Sequence, residues 1–150
     1  MKPLSDYLKG IFEKFLAAGQ PRFSKIELKR EVLLDIIDFA NANHPREFVA
    51  VLEGRVIDET LVIEGLLYQP YHSSNGAAVM RQDLPLTTNA IGTVHSHPSP
   101  NNSPSAQDIR LFSKSGLVHM IIGYPFTEQA IACYDLNGKP LEFEIAQGLQ

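Results

Sequence analysis

Cysteine is nearly absent from this 150-residue sequence, which contains Cys133 alone, and tryptophan does not occur. A single cysteine excludes an internal disulfide and a four-cysteine zinc site, and we expect Cys133 to be a buried apolar filler. No apolar run approaches the roughly 18 residues that a membrane-spanning helix needs. Lysines and acids interrupt the first 19 residues, so we do not expect a secretory signal there. We therefore expect a cytoplasmic protein without membrane contact.

Clusters of positive charge are also missing. The formal net charge is -4, and the densest basic group, Lys25 to Arg30, is interrupted by Glu27 and followed by Glu31. Binding to nucleic-acid phosphates requires clustered lysine and arginine, so we expect no nucleic-acid partner. A solvated helix start or strand end is the better interpretation of this segment.

Helical periodicity is present in two segments near the start of the sequence. Apolar residues between residues 4 and 18 recur at helical spacing and form one stripe. A second apolar face extends from about Leu28 to Ala42. We assign residues 1–20 to an N-terminal helix extension and residues 21–150 to one domain, a length that suits a single core. The stripe most simply packs against that core, and self-association or substrate docking is the alternative.

The rest of the sequence has the composition of a sheet with short helices. Apolar runs predict strands, and clusters of Pro, Gly, Asn and Ser predict the connections between them. The predicted strands are 48–52, 60–67, 90–97, 117–123, 130–134 and 141–145, with turns at 53–54 and 137–138. A short helix is predicted over 105–115, capped by Ser103, and a long loop over most of 70–86. The layout indicates an α+β fold with a central mixed, mainly antiparallel sheet flanked by helices.

Two histidines stand at the end of the predicted strand 90–97. Side chains alternate between the faces of a strand, so His95 and His97 point the same way. Pro98 favours extended backbone at the residue before it and keeps His97 in strand geometry. Two neighbouring imidazoles suit a metal ion, because two protonated rings would repel and two buried neutral rings would each need a hydrogen-bond partner. A pair of surface or core histidines is the alternative.

Ser105 and Asp108 lie three residues apart at the start of the next predicted helix and therefore share a face. The loop between Pro98 and Pro104 can bring that face back to the histidines. Two imidazole nitrogens, one carboxylate and an open position describe a catalytic zinc site, and the lack of nearby cysteine disfavours a closed structural site. The Ser-x-x-Asp spacing also fits a capping box, which is compatible with metal binding.

Glu47 directly precedes the apolar run of the first predicted strand, where a charged residue is unexpected unless it faces a site at the strand end. Hydrolysis of an amide needs a base near the attacking water and a donor for the oxyanion. Glu47 is the candidate base, with an exposed strand-end acid as the alternative interpretation. Ser105 is the natural hydroxyl donor.

The order of these residues resembles the signature of the JAMM (MPN+) metalloproteases: a glutamate, then His-x-His-Pro, six residues, and Ser-x-x-Asp. The resemblance spans roughly residues 28 to 145 and implies the cytidine-deaminase-like MPN fold. It assigns His95, His97 and Asp108 to one zinc ion. It further implies that Glu47 is the general acid/base and that Ser105 stabilises the oxyanion. Ala50 stands where many members have glycine, which leaves the ligands unchanged.

The resemblance implies a peptidase or isopeptidase that removes ubiquitin-like or small sulfur-carrier-type modifiers from conjugates. Such modifiers end in Gly-Gly, and the slim tail could enter a groove over the metal by strand addition, with residues 70–86 as a wall or lid. A non-catalytic scaffold or interaction module of the same fold is the alternative, although such relatives usually lack the ligands. The single cysteine excludes a zinc deaminase, and the His-Glu-x-x-His motif of other zinc proteases is absent.

The three remaining histidines have ordinary interpretations. His44 and His72 fall in predicted loops, where solvated side chains are expected. His119 lies within an apolar strand and is expected to be a core histidine with a polar partner. A contact between His119 and the metal site is the less favoured alternative.

Overall fold

A computed structural model of the chain describes residue 6 and residues 22–68, 72–74, 77–79, 89–112 and 116–147. The predicted helix 4–18, and with it the extension 1–20, lies outside the described residues apart from Asp6. The predicted loop 70–86 is described only where it forms two short strands, His72–Ser74 and Ala77–Val79. In the described part of the chain, no helix has the length and apolar character needed to cross a membrane.

The described residues form ten strands, two α-helices and one 3₁₀ turn. In chain order these are β1 Lys25–Leu28, α1 Arg30–Asn43, β2 Val49–Ile57, β3 Thr60–Tyr68, β4 His72–Ser74, β5 Ala77–Val79, β6 Ala90–His97, α2 Ala106–Phe112, β7 Val118–Gly123, the 3₁₀ turn Glu128–Ala130, β8 Ile131–Tyr134, β9 Pro140–Leu141 and β10 Glu144–Ile145. Eight strands make one sheet in the order β10-β1-β3-β2-β6-β7-β8-β9, and β4 pairs with β5. Both parallel and antiparallel pairs occur, which confirms the predicted α+β fold with a mixed sheet.

The first hairpin is longer than predicted. Residues 53–54 were expected to form the turn between the strands, but β2 continues to Ile57 and the turn lies at Asp58 and Glu59, whose φ angles are 48° and 61°. The Glu53-Gly54 pair forms a β-bulge instead. A side chain at Gly54 would collide with the carbonyl oxygen of Val62, so this glycine serves a close backbone approach and not a turn.

The C-terminal segment departs from the simple hairpin that the sequence predicts. β8 pairs with β9 across the predicted turn at Asn137 and Gly138, where Gly138 has a φ of 80°. Residues 144–145 then leave this hairpin and pair in parallel with β1, a strand that the sequence did not reveal. Residues 140–145 thus supply the outermost strand at both edges of the sheet.

The sheet has a large core on one face and a small one on the other. The large core includes α1, and both Val94 of β6 and Met120 of β7 point into it. The small core contains Phe112 of α2, Ile121 of β7 and Tyr134 of β8. Because side chains alternate along β6, Thr93 and His95 point away from Val94, toward the face of the sheet that α2 covers.

Candidate metal centre

Strand β6 brings the two predicted histidines to the α2 face of the sheet. His95 is 4% exposed and His97 is partly exposed at the strand end. Ser96, whose side chain lies on the opposite face, holds the end of β6 against Phe48. Its Oγ accepts a hydrogen bond from the Phe48 N–H at 2.9 Å. Its own N–H donates to the Phe48 carbonyl at 3.1 Å. The histidines therefore project from a fixed backbone at the centre of the sheet.

Asp108 reaches the histidines from the first turn of α2. The helix begins at Ala106, and its cap is Ser105 and not Ser103 as predicted. Ser105 Oγ accepts a hydrogen bond from the Asp108 N–H at 3.1 Å, and the Ser105 N–H donates to Asp108 Oδ2 at 2.8 Å. This reciprocal pair is a capping box, which satisfies two helix-end donors and orients the carboxylate. Ser103 instead donates its N–H to the Asn101 side chain.

The three side chains form a triangle of suitable size for a zinc ion. His95 Nε2 lies 3.1 Å from His97 Nε2, and each nitrogen lies 3.3 Å from one carboxylate oxygen of Asp108. Ligand atoms bound at about 2.0–2.1 Å to a tetrahedral zinc ion lie about 3.3 Å apart. Among the described residues, no other group of three His, Cys, Asp or Glu side chains converges in this way. The donor set and spacing thus fit one zinc ion, as predicted.

The electrostatics of the triangle favour a cation. Burial by itself would raise the pKa of the Asp108 carboxyl, but hydrogen bonds with His95 and His97 outweigh it and hold this pKa well below its usual range. The hydrogen bond that His97 makes to the Asp108 carboxylate raises the pKa of His97, against an opposing effect of burial. Asp108 is therefore a carboxylate at neutral pH, and the site carries a fixed negative charge.

A backbone carbonyl orients the ring of His97. His97 Nδ1 lies 2.7 Å from the carbonyl oxygen of Asn101. A carbonyl can only accept a hydrogen bond, so Nδ1 carries a hydrogen and donates it. Nε2 is then the atom that faces Asp108 and His95, and a metal ion would bind there in place of the hydrogen that Nε2 donates to Asp108.

Glu47 lies at the same end of the sheet as the triangle. β2 and β6 are antiparallel with Val49 opposite His95, and the same register carried two residues further sets Glu47 opposite His97. Glu47 is exposed, and its charge adds to the larger effect of Asp108 in raising the pKa of His97. The structure thus brings the glutamate, both histidines and the capping box to one sheet end.

The sequence did not reveal the side chains that pack below the triangle. His119 is fully buried, as expected for a core histidine, and its Nδ1 lies 2.7 Å from Thr93 Oγ1. Its ring stacks on Phe112 at a centroid distance of 4.2 Å, and Phe112 in turn lies 6.3 Å from the ring of His95. Phe112 therefore separates His119 from the ligands. Two sequence spacings could have indicated this layer. Thr93 lies two residues before His95 and therefore on the same face of β6, and Phe112 lies four residues after Asp108 and therefore on the same face of α2.

The remaining histidine and cysteine predictions are resolved in part. His44 is exposed, and its ring stacks on Tyr124 at 4.7 Å. The side chain of His72 lies outside the described residues. Cys133 is 2% exposed, and burial raises its pKa to about 12, which confirms a buried apolar role.

Comparisons with known proteins agree with this geometry. Residues 29–136 match the family model of prokaryotic homologs of the JAB domain. A Haloferax volcanii protein described as "Probable metalloprotease" is 30% identical over 131 residues, which cover 76% of this chain and 78% of the relative. A solved JAB1/MPN domain protein from Archaeoglobus fulgidus is 31% identical, with a TM-score of 0.64 over 83% of this chain and 99% of its own. A structure described as JAMM, a metalloprotease-like zinc site in the proteasome and signalosome, is also 31% identical, with a TM-score of 0.63 over 83% and 100% of the two chains.

Proposed function

The chain belongs to the family of prokaryotic homologues of the JAB domain, and from this premise we propose that it is a zinc-dependent peptidase of the JAMM type. The observation that carries the proposal is the triangle of His95, His97 and Asp108, whose ligand atoms have the spacing of a tetrahedral zinc site. Three protein ligands leave one position for water, which is the arrangement of a catalytic site and not of a structural one.

Zinc held by these ligands would supply a Lewis acid and lower the pKa of a water molecule toward about 7. The role proposed for Glu47 is to accept a proton from that water as it attacks the amide carbonyl. The same carboxyl then delivers the proton to the departing amine, so the original protonation state of Glu47 is restored at the end of the cycle. Its position opposite His97 at an exposed strand end supports this role, because the substrate also arrives from solvent.

Ser105 is the proposed donor to the oxyanion that forms on the attacked carbonyl. Its Oγ already accepts the Asp108 N–H, and this bond leaves the hydroxyl hydrogen available to donate. The capping box thus fixes the position of the oxygen at the same time as it fixes the ligand Asp108. A donor held in place before the reaction is worth more than one that must be ordered during it.

The proposed substrates are conjugates of ubiquitin-like or sulfur-carrier-type proteins that end in Gly-Gly. A tail without side chains fits a narrow groove and could pair with a strand beside the site. β9 and β10 are the two edge strands of the sheet and lie away from the central strand β6, so they do not suit pairing with a tail that must reach the metal centre. The proposed groove wall is instead the segment 70–86, in which the described strands β4 and β5 pair with each other.

A cleavage panel with matched variants tests this proposal. The substrates are one Gly-Gly-ended modifier joined to a reporter through a linear peptide bond and one joined through a lysine isopeptide bond. We expect zinc-loaded wild-type protein to cleave at least one conjugate, with loss of cleavage after chelation and in Glu47→Gln. Intact conjugates across several modifiers, with stoichiometric zinc bound, would contradict the proposed function. Purified protein that binds no zinc would favour the non-catalytic scaffold.

A further inference from the structure

The segment between β6 and α2, residues 98–105, is here termed the site loop. It carries the Asn101 carbonyl that holds His97 Nδ1 at 2.7 Å, and it ends at the capping residue Ser105. Two of the three metal ligands therefore depend on where the loop lies. Asn101 and Ser105 are themselves exposed, so the position of the loop must be fixed by contacts elsewhere.

Asn102 ties the site loop to the 3₁₀ turn and to strand β8 through one hydrogen bond each. Its side-chain amide donates to the carbonyl of Ala130 at 2.9 Å. Its own carbonyl accepts the hydroxyl of Tyr134 at 2.7 Å. Tyr134 is only 6% exposed, because its ring belongs to the small core with Phe112 and Ile121. The hydroxyl is thus presented by a rigid ring that is anchored in the sheet.

The end of β7 holds the loop from a second direction. The Tyr124 N–H donates to the Ser99 carbonyl at 3.0 Å. A Cβ atom added at Gly123 would lie 3.0 Å from the Pro100 carbonyl oxygen and 3.1 Å from that of Ser99. The loop backbone therefore rests directly on the strand end, at the position that pairs with His97. A larger residue at Gly123 would require this loop backbone to shift by a few tenths of an ångström.

We propose that Tyr134 and Asn102 are positioning residues of the metal centre: they fix the site loop so that the Asn101 carbonyl holds the His97 ring with Nε2 facing the other two ligands. The inference rests on the proposed function in that the triangle is taken to bind zinc. Neither residue touches the ligand triangle. Their effect passes through the covalent link between Asn102 and Asn101 and through the hydrogen bond that His97 Nδ1 donates to the Asn101 carbonyl.

Loss of the Tyr134 hydroxyl has a specific consequence for His97. The Asn102 carbonyl loses its buried donor, and the loop gains freedom next to Asn101. The His97 ring can then rotate, and zinc binding must restore the orientation in which Nε2 faces the other two ligands. Groups that hydrogen-bond a metal ligand typically change metal affinity by about 10- to 100-fold. Tyr134 acts one step further from the ligand, so we expect Tyr134→Phe to weaken zinc binding by about 10-fold, at the low end of this range.

The experiment compares Tyr134→Phe with the matched control Tyr124→Phe. The described contacts of Tyr124 are made by its ring and backbone, so removing its hydroxyl should leave the loop in place. Zinc affinity is measured by competition with a chromophoric chelator. The position of the site loop is measured in the zinc-free protein by hydrogen exchange of the Ser103 amide, which donates to the Asn101 side chain within the loop. Thermal unfolding of each zinc-free variant measures the purely structural effect.

The inference predicts weaker zinc binding and faster exchange of the Ser103 amide in Tyr134→Phe, with wild-type behaviour in Tyr124→Phe. Equal zinc affinity and equal exchange rates in the two variants would overturn it. Should Tyr134→Phe fail to fold, Asn102→Ala at a half-buried position gives the same two readouts. Neither readout needs a substrate, so wild-type protein that binds zinc but cleaves no conjugate would refute the proposed function alone.

Discussion

Replacement of Ser105 by alanine separates two roles of one hydroxyl, the observed cap of α2 and the proposed donor to the oxyanion. Ser105 Oγ accepts the Asp108 N–H at 3.1 Å as the cap of α2, and its hydrogen is the proposed donor to the oxyanion. Loss of a capping hydroxyl typically costs about 1 kcal/mol of folding free energy. In a chain of this size, that corresponds to a fall of about 2–4 °C in the unfolding midpoint. Natural domains are stable by about 5–15 kcal/mol, so the variant stays almost fully folded.

The catalytic effect should be far larger than this structural effect. Removal of one oxyanion donor lowers the turnover rate by about 10²- to 10³-fold, or about 2.7–4 kcal/mol of transition-state stabilisation. The assay is single-turnover cleavage of a reporter conjugate at saturating zinc, together with thermal unfolding of the zinc-free protein. Ser105→Thr is the control, because it keeps a hydroxyl at an exposed position that has room for a methyl group. A Ser105→Ala rate that falls only in proportion to its unfolded fraction would refute the donor role and leave the cap.

Other changes test the remaining assignments. His97→Ala and Asp108→Ala should each lose zinc and cleavage together, because the two remaining ligands would not hold the ion. Metal analysis and the reporter assay measure the two losses. Retention of stoichiometric zinc would contradict the ligand assignment. Glu47→Gln should keep zinc but lose about 10²- to 10⁴-fold in rate, since only proton transfer is removed. A full rate in this variant would exclude Glu47 as the base. Cys133, with its pKa raised to about 12 by burial, should resist a thiol reagent at about pH 8 until the protein is unfolded. Rapid labelling of folded protein would show that the thiol is accessible. Removal of zinc by a chelator should abolish cleavage, and added zinc should restore it.

The convergence of His95, His97 and Asp108 could be predicted because their geometry is local in sequence. Strand alternation sets His95 beside His97, and a three-residue helical spacing sets Ser105 beside Asp108. The loop 98–104 that joins the histidine pair to the Ser105–Asp108 pair is short, so few arrangements of one pair relative to the other are possible. The central strand β6 was predicted with its observed bounds, Ala90–His97, because apolar composition and Pro98 both mark it.

The errors arise where distant parts of the chain decide the structure. Residues 53–54 resemble a turn in composition, but the backbone of Val62 requires a glycine at this bulge. Strand β10 pairs in parallel with β1 more than a hundred residues away, which no local pattern reveals. The hydroxyl of Tyr134 meets the Asn102 carbonyl for the same reason: the contact depends on how β8 lies relative to the site loop.

The placement of residues 140–145 at both sheet edges has a consequence for aggregation. Without this segment, β1 and β8 would each present unpaired backbone groups, and such open edges can pair with those of neighbouring molecules. Because one short segment covers both strands, its detachment would expose two new edges at once. A single local unfolding event would thus open the protein to association on two sides.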